Sequence, residues 1–484
     1  MTTEEGLPKT AAAASRLEPP RVQVPAQGCT FENVTVVNPR VGREVARKVV
    51  VGSSLIDAIS DSKGSQDPEA VDQYAGSFLL PGLVDMHVHY NLLPEYDATF
   101  DASAQTNLLF LQHGVTSVRE MGSLDSVWDL RARMKEGNAP GPRLFISAKM
   151  VDGDPPRLPG FAWPVRTPEE ARQAVDSLAE RGVDFIKVYD FLTLELLTAI
   201  QEAAHRNGIR TAGHLPVMLS LEEAPMDEIE HLWMIQMPSP RERFSFNNPS
   251  DFAEYYVAWA SLDDRKADEI VRVSTKKGIS YTPTIACQDH ISRMLDPGFY
   301  EDPAFFLGPR SLRDGWWSLE YGLKYLAGHS KEELETAKKG VEQIKKLTGR
   351  LYREGVTIYC GTDTPATPGM APGASIHEEL RCLVDSGLSP EEAWASASSA
   401  AGEVLGVSML GMLKAGAPAD MLVFREDPTV NLEALSTLQA VVADGRLYTK
   451  EALDEASARH RDYMNSPLYD EVTVDMVRKA FTTL

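Results

Sequence analysis

Two histidines spaced two residues apart carry the strongest sign of chemistry in the sequence. His87 and His89 end the apolar run PGLVDMHVH at residues 81–89. In a β-strand, side chains at positions i and i+2 point to the same face, so the two rings would project together from the strand end. Histidine is a common zinc ligand. The pair indicates a metal site or, alternatively, two half-buried histidines with backbone partners.

Three further residues of ligand type stand where other apolar runs end. His214, His231 and Asp363 each end or closely follow a short strand-like run. The active sites of barrels built from parallel strands lie at the carboxyl ends of those strands, so these side chains would meet at one edge. Together with the histidine pair, they predict a cluster of metal ligands.

A lysine inside an apolar run adds to this cluster. Lys187 lies within DFIKVYD at residues 184–190. A buried lysine is costly unless its charge is removed or paired. Reaction of its amine with carbon dioxide would give a carbamate, an anionic oxygen ligand that is able to bridge two cations. The alternative is an inward lysine that pairs with a carboxylate.

Three residues are candidates for binding a substrate, and each has an alternative role. Tyr189 would share the inward face with Lys187 and hydrogen-bond a carbonyl or carboxylate, or else pack on the next helix. Arg119 would pair with an anionic substrate group, or else with Glu120 or another structural carboxylate. His377 comes after the last predicted strand and would line the pocket or simply begin a helix.

Strand-like and helical patterns alternate after residue 83, which predicts an α/β fold. Counting the strand that ends at His87, there are eight strand candidates, and the other seven lie at residues 115–119, 143–147, 185–188, 210–214, 229–232, 281–285 and 357–360. Two helix starts are explicit, because Thr167 and Ser389 are each followed by proline and then, at the third position after the cap, by glutamate. Eight strands alternating with helices predict a (β/α)8 TIM-type barrel.

Both chain ends predict structure outside this barrel. The ends have β texture, and we expect them to form one small β-sandwich domain. The predicted division is a flexible N-terminal arm at 1–25, the sandwich at 26–80 and 405–450, the barrel at 81–404 and a C-terminal helical tail at 451–484. Two long connections, at 233–280 and 286–356, would form either lids and pocket walls or a dimer surface.

The chain resembles the amidohydrolase superfamily, in particular its imidazolonepropionase- and prolidase-like branch with a binuclear metal centre. The motifs that carry the resemblance occur in the family's order, at residues 81–89, 185–189, 213–216, 229–231, 361–364 and 416–423. The resemblance implies six metal ligands, which are His87, His89, Lys187, His214, His231 and Asp363. The first two histidines and the aspartate would hold the more buried ion, the other two histidines the second ion, and the carbamylated lysine would bridge them.

This resemblance implies a hydrolase that cleaves an amide, lactam or ester bond of a small molecule or short peptide. Two divalent cations, expected to be Zn²⁺, would give a bridging hydroxide near neutral pH, and Asp363 would take the proton and pass it to the leaving group. The same site would also suit a non-hydrolytic reaction, as in an isomerase, decarboxylase or lyase. A non-catalytic scaffold is a third alternative, although scaffolds of this kind typically lose ligands.

The composition excludes several partners. The formal charge is −22, from 70 acidic and 48 basic side chains, which disfavours binding to nucleic acid or to anionic membranes. None of the four cysteines lies in a CxxC pair, so neither a disulfide framework nor a thiolate zinc site is indicated. The N-terminus lacks the apolar core of a secretory signal, and no apolar run is long enough to span a bilayer. We expect a cytoplasmic homo-oligomer that acts on a small-molecule substrate.

Overall fold

The protein is described here from a computed structural model. The structure describes residues 20, 22–62, 72–90, 103–137, 139–237, 241, 244, 248–320, 322–323, 326–467 and 469. Most of the predicted N-terminal arm and the last part of the predicted C-terminal tail lie outside the described residues. No helix among the described residues is long and apolar enough to cross a membrane.

Strands and helices alternate through the middle of the chain, as predicted. The strands are β1 (Cys29–Asn38), β2 (Gly42–Val51), β3 (Ile56–Asp61), β4 (Phe78–Pro81), β5 (Leu83–Val88), β6 (Val115–Glu120), β7 (Arg143–Ile146), β8 (Met150–Gly153), β9 (Ala162–Val165), β10 (Ile186–Val188), β11 (Thr211–Gly213), β12 (Glu228–Glu230), β13 (Ser280–Thr282), β14 (Met421–Phe424), β15 (Leu438–Ala443) and β16 (Arg446–Thr449). The α-helices are α1 (Ser103–Gln112), α2 (Val127–Lys135), α3 (Pro168–Glu180), α4 (Leu194–Arg206), α5 (Pro249–Ala260), α6 (Asp264–Lys277), α7 (Ile285–Arg293), α8 (Lys331–Arg353), α9 (Ser375–Asp385), α10 (Pro390–Ser396), α11 (Ser399–Val404) and α12 (Lys450–Met464).

The two predicted helix starts are confirmed by their capping hydrogen bonds. The Thr167 hydroxyl accepts the backbone N–H of Glu170 at the start of α3. Ser389 and Glu392 form a reciprocal capping box at the start of α10. The first backbone N–H groups of a helix have no partner within the helix, and these side chains accept hydrogen bonds from them. Because the capping residues stand at a fixed spacing in the sequence, the helix starts could be predicted.

Parallel strands form the part of the fold that carries the predicted ligands. One sheet has the order β5-β6-β7, and another has the order β13-β12-β11-β10-β8-β9. Asp184, two residues before β10, also connects to the end of β7, because its backbone N–H donates to Ile146 O at 2.9 Å. Every residue of β5 is buried, as expected for a strand that is covered on both faces. This α/β arrangement is consistent with a TIM-like barrel.

The last predicted barrel strand is much shorter than expected. The run 357–360 forms only an isolated parallel bridge, between Ile358 and Tyr281. Cys360 O accepts Met86 N of β5 at 2.9 Å, but Cys360 N donates to Ser396 O instead of to a neighbouring strand. The segment therefore lies between β13 and β5 without a continuous ladder.

Other predicted strand limits also differ. The run 281–285 ends as a strand at Thr282, because Thr284 has a left-handed φ of 47° and α7 begins immediately after it. The short strands β8, β9 and β16 were not predicted.

The two chain ends form one mixed sheet of seven strands, in the order β16-β15-β14-β4-β1-β2-β3. The antiparallel pairing of β14 with β4 joins the C-terminal part of this sheet to the N-terminal part. Its core contains Phe31, Leu79 and Val423, all fully buried. The shared sheet agrees with a domain built from both ends, while the sandwich and the domain limits stay predictions.

Candidate metal centre

Three of the predicted ligands lie together at the ends of strands. One ligand atom each from His87, His89 and Asp363 lies within 4.8 Å of the others. Asp363 Oδ1 is 3.4 Å from His87 Nε2 and 3.2 Å from His89 Nε2. Two imidazoles that converge on one carboxylate oxygen form a set of donors that suits a divalent cation such as Zn²⁺.

The hydrogen bonds of His87 leave one ring nitrogen turned toward this cluster. Its Nδ1 lies 2.6 Å from Glu230 Oε2, and both side chains have zero exposure. Among the described residues, the buried Nε2 of His87 has no hydrogen-bond partner. If Nδ1 donates its proton to the carboxylate, Nε2 presents a lone pair to Asp363. The arrangement fits a metal ligand, because an unpaired buried nitrogen is otherwise costly.

In the next two histidines, Nδ1 also lies at hydrogen-bond distance from an oxygen atom. His89 Nδ1 lies 3.0 Å from Gly122 O, so it donates to that carbonyl. His214 Nδ1 lies 2.7 Å from Asp190 Oδ1. Burial lowers the pKa of His214 to about 4, although Asp190 opposes this shift. A neutral imidazole whose Nδ1 is held by an oxygen is the form that binds metals through Nε2.

His231 completes the group of histidine rings. Its ring centroid lies 4.5 Å from that of His87 and 5.1 Å from that of His214. Its Nδ1 is 2.6 Å from Thr284 Oγ1. His231, Thr284 and Asp363 all have left-handed backbone conformations, with φ values of 59°, 47° and 61°. Such conformations are strained for residues other than glycine and concentrate at functional sites.

Lys187 lies in the middle of β10 and is 1% exposed. No hydrogen bond or ion pair joins its ammonium group to the residues that the structure describes, and its Nζ lies 6.0 Å from the Tyr189 ring centroid. Burial lowers the pKa of Lys187, while the charges of Glu230 and Asp363 act in the opposite direction. Burial therefore favours the neutral amine, and the alternative of a direct pair with a carboxylate is not observed within the described part of the chain.

Of the three substrate-binding candidates, only Tyr189 lies beside the cluster. Its ring lies against that of His214 in a tilted arrangement, with centroids 4.4 Å apart. Arg119 points instead into a buried carboxylate network, where it donates to both oxygens of Glu228 and to one oxygen of Glu230. Arg119 therefore pairs with structural carboxylates, which was the alternative to binding a substrate anion. Its partners are Glu228 and Glu230, not Glu120.

His377 also lies away from the cluster. Its Nε2 is 2.9 Å from His113 O, and the two rings are in edge contact, with centroids 5.6 Å apart. These contacts place His377, in the first turn of α9, against the residue that follows α1. Its role as a pocket residue stays a prediction that these contacts do not support.

Sequence reasoning missed the residues that contact the side chains of the predicted ligands. These are Glu230, Asp190, Thr284 and the carbonyl of Gly122, together with Cys287, whose Sγ lies 3.5 Å from Asp363 Oδ2. Glu230 and Asp190 carried a usable signal, since each is a carboxylate at the end of a buried strand that also bears a ligand. Thr284 carried none, because its contact depends on a turn that the sequence pattern did not predict.

Comparison with known proteins identifies the family. The sequence profile of the amidohydrolase family matches residues 78–448, which is most of the chain and includes every predicted ligand. The chain belongs to the amidohydrolase family. None of the curated proteins matches the sequence of this family member.

Solved structures share the fold of this amidohydrolase at low sequence identity. Bottromycin amidohydrolase is 22% identical with a TM-score of 0.69, over 96% of this chain and 95% of that chain. A Xaa-Pro dipeptidase with methionine bound in its active site is 20% identical with a TM-score of 0.62, over 87% and 100%. The ochratoxinase of A. niger is 18% identical with a TM-score of 0.60, over 88% and 96%. These likenesses concern the fold alone.

Proposed function

We propose that this protein is a metal-dependent hydrolase that cleaves an amide, lactam or ester bond of a small molecule or short peptide. The observation that carries the proposal is the buried Nε2 of His87, which faces Asp363 and His89 while Nδ1 is held by Glu230. Family membership supports hydrolysis of amide-type bonds. The neighbours named as an amidohydrolase and a Xaa-Pro dipeptidase agree with the same class.

We propose that six residues of a closed (β/α)8 barrel hold two divalent cations, with zinc as the expected metal. The ligands would be His87, His89, Lys187 as a carbamate, His214, His231 and Asp363. When bound, the cations act as Lewis acids that activate water and polarise a carbonyl oxygen. Burial lowers the pKa values of His87, His214 and His231 and also that of Lys187, which supports this set, because binding a cation requires unprotonated nitrogen donors and the carbamate forms from a neutral amine.

The side chains themselves would then orient the substrate and move one proton. Asp363 is 13% exposed and lies among His87, His89 and His231, and we propose that it takes a proton from water and returns it to the leaving nitrogen or oxygen. Burial raises the pKa of Asp363, but its contacts with His231 and His89 lower it overall to about 2, so the carboxylate is ionised. Tyr189 would contribute a hydroxyl beside His214.

Metal analysis with a lysine variant tests this proposal. We expect about two metal equivalents per chain in protein prepared with zinc and ¹³C-bicarbonate, and a carbamate carbon resonance in its NMR spectrum. Lys187→Ala should lose that resonance and bind less metal. Lys339→Ala, which changes an exposed lysine of α8, is the matched control and should retain both.

Each outcome separates the proposed site from another one. About one equivalent that Lys187→Ala leaves unchanged would make the lysine structural and the site mononuclear. Protein that binds no metal under these conditions would refute metal dependence. Product analysis with amide, lactam and ester substrates then separates hydrolysis from isomerisation or elimination at the same site.

A further inference from the structure

The start of α7 holds His231 at two points. Thr284, the residue before this helix, contacts the ring through a 2.6 Å hydrogen bond between Oγ1 and Nδ1. Gln288, in the first turn, donates from Nε2 to His231 O at 3.2 Å. Because both the ring and the backbone of His231 are held, the position of this ligand depends on where the first turn of α7 lies.

That first turn is itself held by a carboxylate from another helix. Glu379 of α9 has zero exposure, and its two oxygens accept the N–H groups of Ile285 at 3.0 Å and Ala286 at 2.7 Å. The first N–H groups of a helix have no partner within the helix. Thr284 does not cap the helix with its side chain, because its hydroxyl contacts His231 and its backbone is left-handed. Glu379 supplies the cap that Thr284 gives up.

The carboxylate also joins two parts of the site that are distant in sequence. Glu379 belongs to the helix that follows the loop beginning at Asp363, while α7 follows β13. His231 Nδ1, which contacts the start of α7 through Thr284, lies 3.9 Å from Asp363 Oδ2, which begins the loop that leads to α9. A displacement of α7 relative to α9 would therefore change the relation between the two ligands.

We infer that Glu379 is a positioning residue of the metal centre, which acts through the first turn of α7 and Thr284 to fix the ring of His231. The inference rests on the proposed function, since it takes His231 as a metal ligand. Both acceptor oxygens are needed. A glutamine at this position has only one oxygen, and its amide group would oppose the second N–H donor, so the start of α7 must move.

A purely structural cap makes a different prediction. Glu392 caps α10 from within its own capping box and touches none of the ligands. Because a glutamine can also accept in a capping box, Glu392→Ala is the control that removes this cap. Loss of a cap of either kind lowers the free energy of unfolding by about 0.5–2 kcal/mol. Only a positioning residue should also change the ring of His231 and the binding of a metal.

The test combines two measurements on the full chain. In metal-free protein labelled with ¹⁵N-histidine, Glu379→Gln and Thr284→Val should both move the ring nitrogen resonances of His231, which are assigned by their loss in His231→Gln. In titrations with Co²⁺, both variants should weaken one of two equivalents by about 10–100-fold and leave the other close to wild type. The double variant should not be additive, because both changes act on one chain of contacts.

A Glu379→Gln protein that melts earlier but keeps the wild-type His231 resonances and Co²⁺ affinities would overturn the inference. If that variant does not fold, Thr284→Val decides by the same two readouts. Wild-type protein that binds no Co²⁺ would refute the proposed function separately, because the resonances of His231 in metal-free protein test the positioning role without metal.

Discussion

The contact between Glu230 and His87 should determine how tightly the candidate site binds metal. Glu230 Oε1 accepts from Arg119 at 2.9 Å, and its Oε2 lies 2.6 Å from His87 Nδ1. In Glu230→Gln, the amide oxygen should face the arginine, because a guanidinium only donates. The amide N–H would then face Nδ1 and make it an acceptor. The ring proton would move to Nε2, which removes the lone pair that points at Asp363.

The size of the effect follows from burial and from the place of the contact. Both side chains have zero exposure, so water does not replace the lost partner. Loss of a hydrogen bond behind a metal-binding histidine typically weakens metal affinity by about 10–100-fold. That range corresponds to about 1.4–2.7 kcal/mol of binding free energy. The wrong tautomer places the effect at the upper end of the range, because it blocks a ligand instead of loosening it.

Competition between the protein and a chromophoric chelator for Zn²⁺ measures the affinity, and chemical unfolding measures stability. Glu228→Gln is the matched control, since Glu228 is equally buried and pairs with the same Arg119 but does not touch His87. We expect both variants to lose stability and only Glu230→Gln to lose metal affinity. Equal losses of affinity in the two variants, or wild-type affinity in Glu230→Gln, would refute the tautomer argument.

Two further predictions concern the surroundings of the site. Burial lowers the pKa of His290, but its 2.6 Å hydrogen bond to Glu378 outweighs this and raises the pKa overall. Protonated His290 therefore stabilises the folded protein fully below the ordinary histidine pKa of about 6.5, and this stabilisation is lost as pH rises through the higher pKa of the folded state. The difference in melting temperature between wild type and His290→Gln should shrink over that pH range. A difference that stays constant with pH would contradict this. In Gly361→Ala, the new Cβ would lie 2.8 Å from the backbone N of His87. We therefore expect the free energy of unfolding, measured with urea, to fall by about 1–3 kcal/mol. Gly328→Ala, which has open space around the new Cβ, should match wild type. A wild-type midpoint of urea unfolding for Gly361→Ala would contradict this and would show that β5 can move away from the new Cβ.

Local sequence patterns predicted the elements whose chemistry is local. The strand ending at His87 and His89 was predictable because a buried parallel strand is a continuous apolar run and its side chains repeat every two residues. The starts of α3 and α10 were predictable because the cap and its partner are three residues apart. The strand content of the run 357–360 was overestimated, because an apolar segment forms a strand ladder only where a neighbouring strand offers hydrogen-bond partners. Here Cys360 N donates to Ser396 O and not to a strand.

The sequence alone determined which residue types stand at the ends of the parallel strands, and with them the family and the kind of chemistry. The type of a residue and its place at the end of an apolar run are both properties of short segments, so they can be recognised without knowing the fold. Only the tertiary structure decided which ring nitrogen of each predicted histidine ligand faces the candidate site. His87 depends on Glu230, 143 residues away, and His231 depends on Thr284, 53 residues away. Such contacts form only when distant segments pack together, because a hydrogen bond depends on the separation of two atoms in space and not on their separation along the chain.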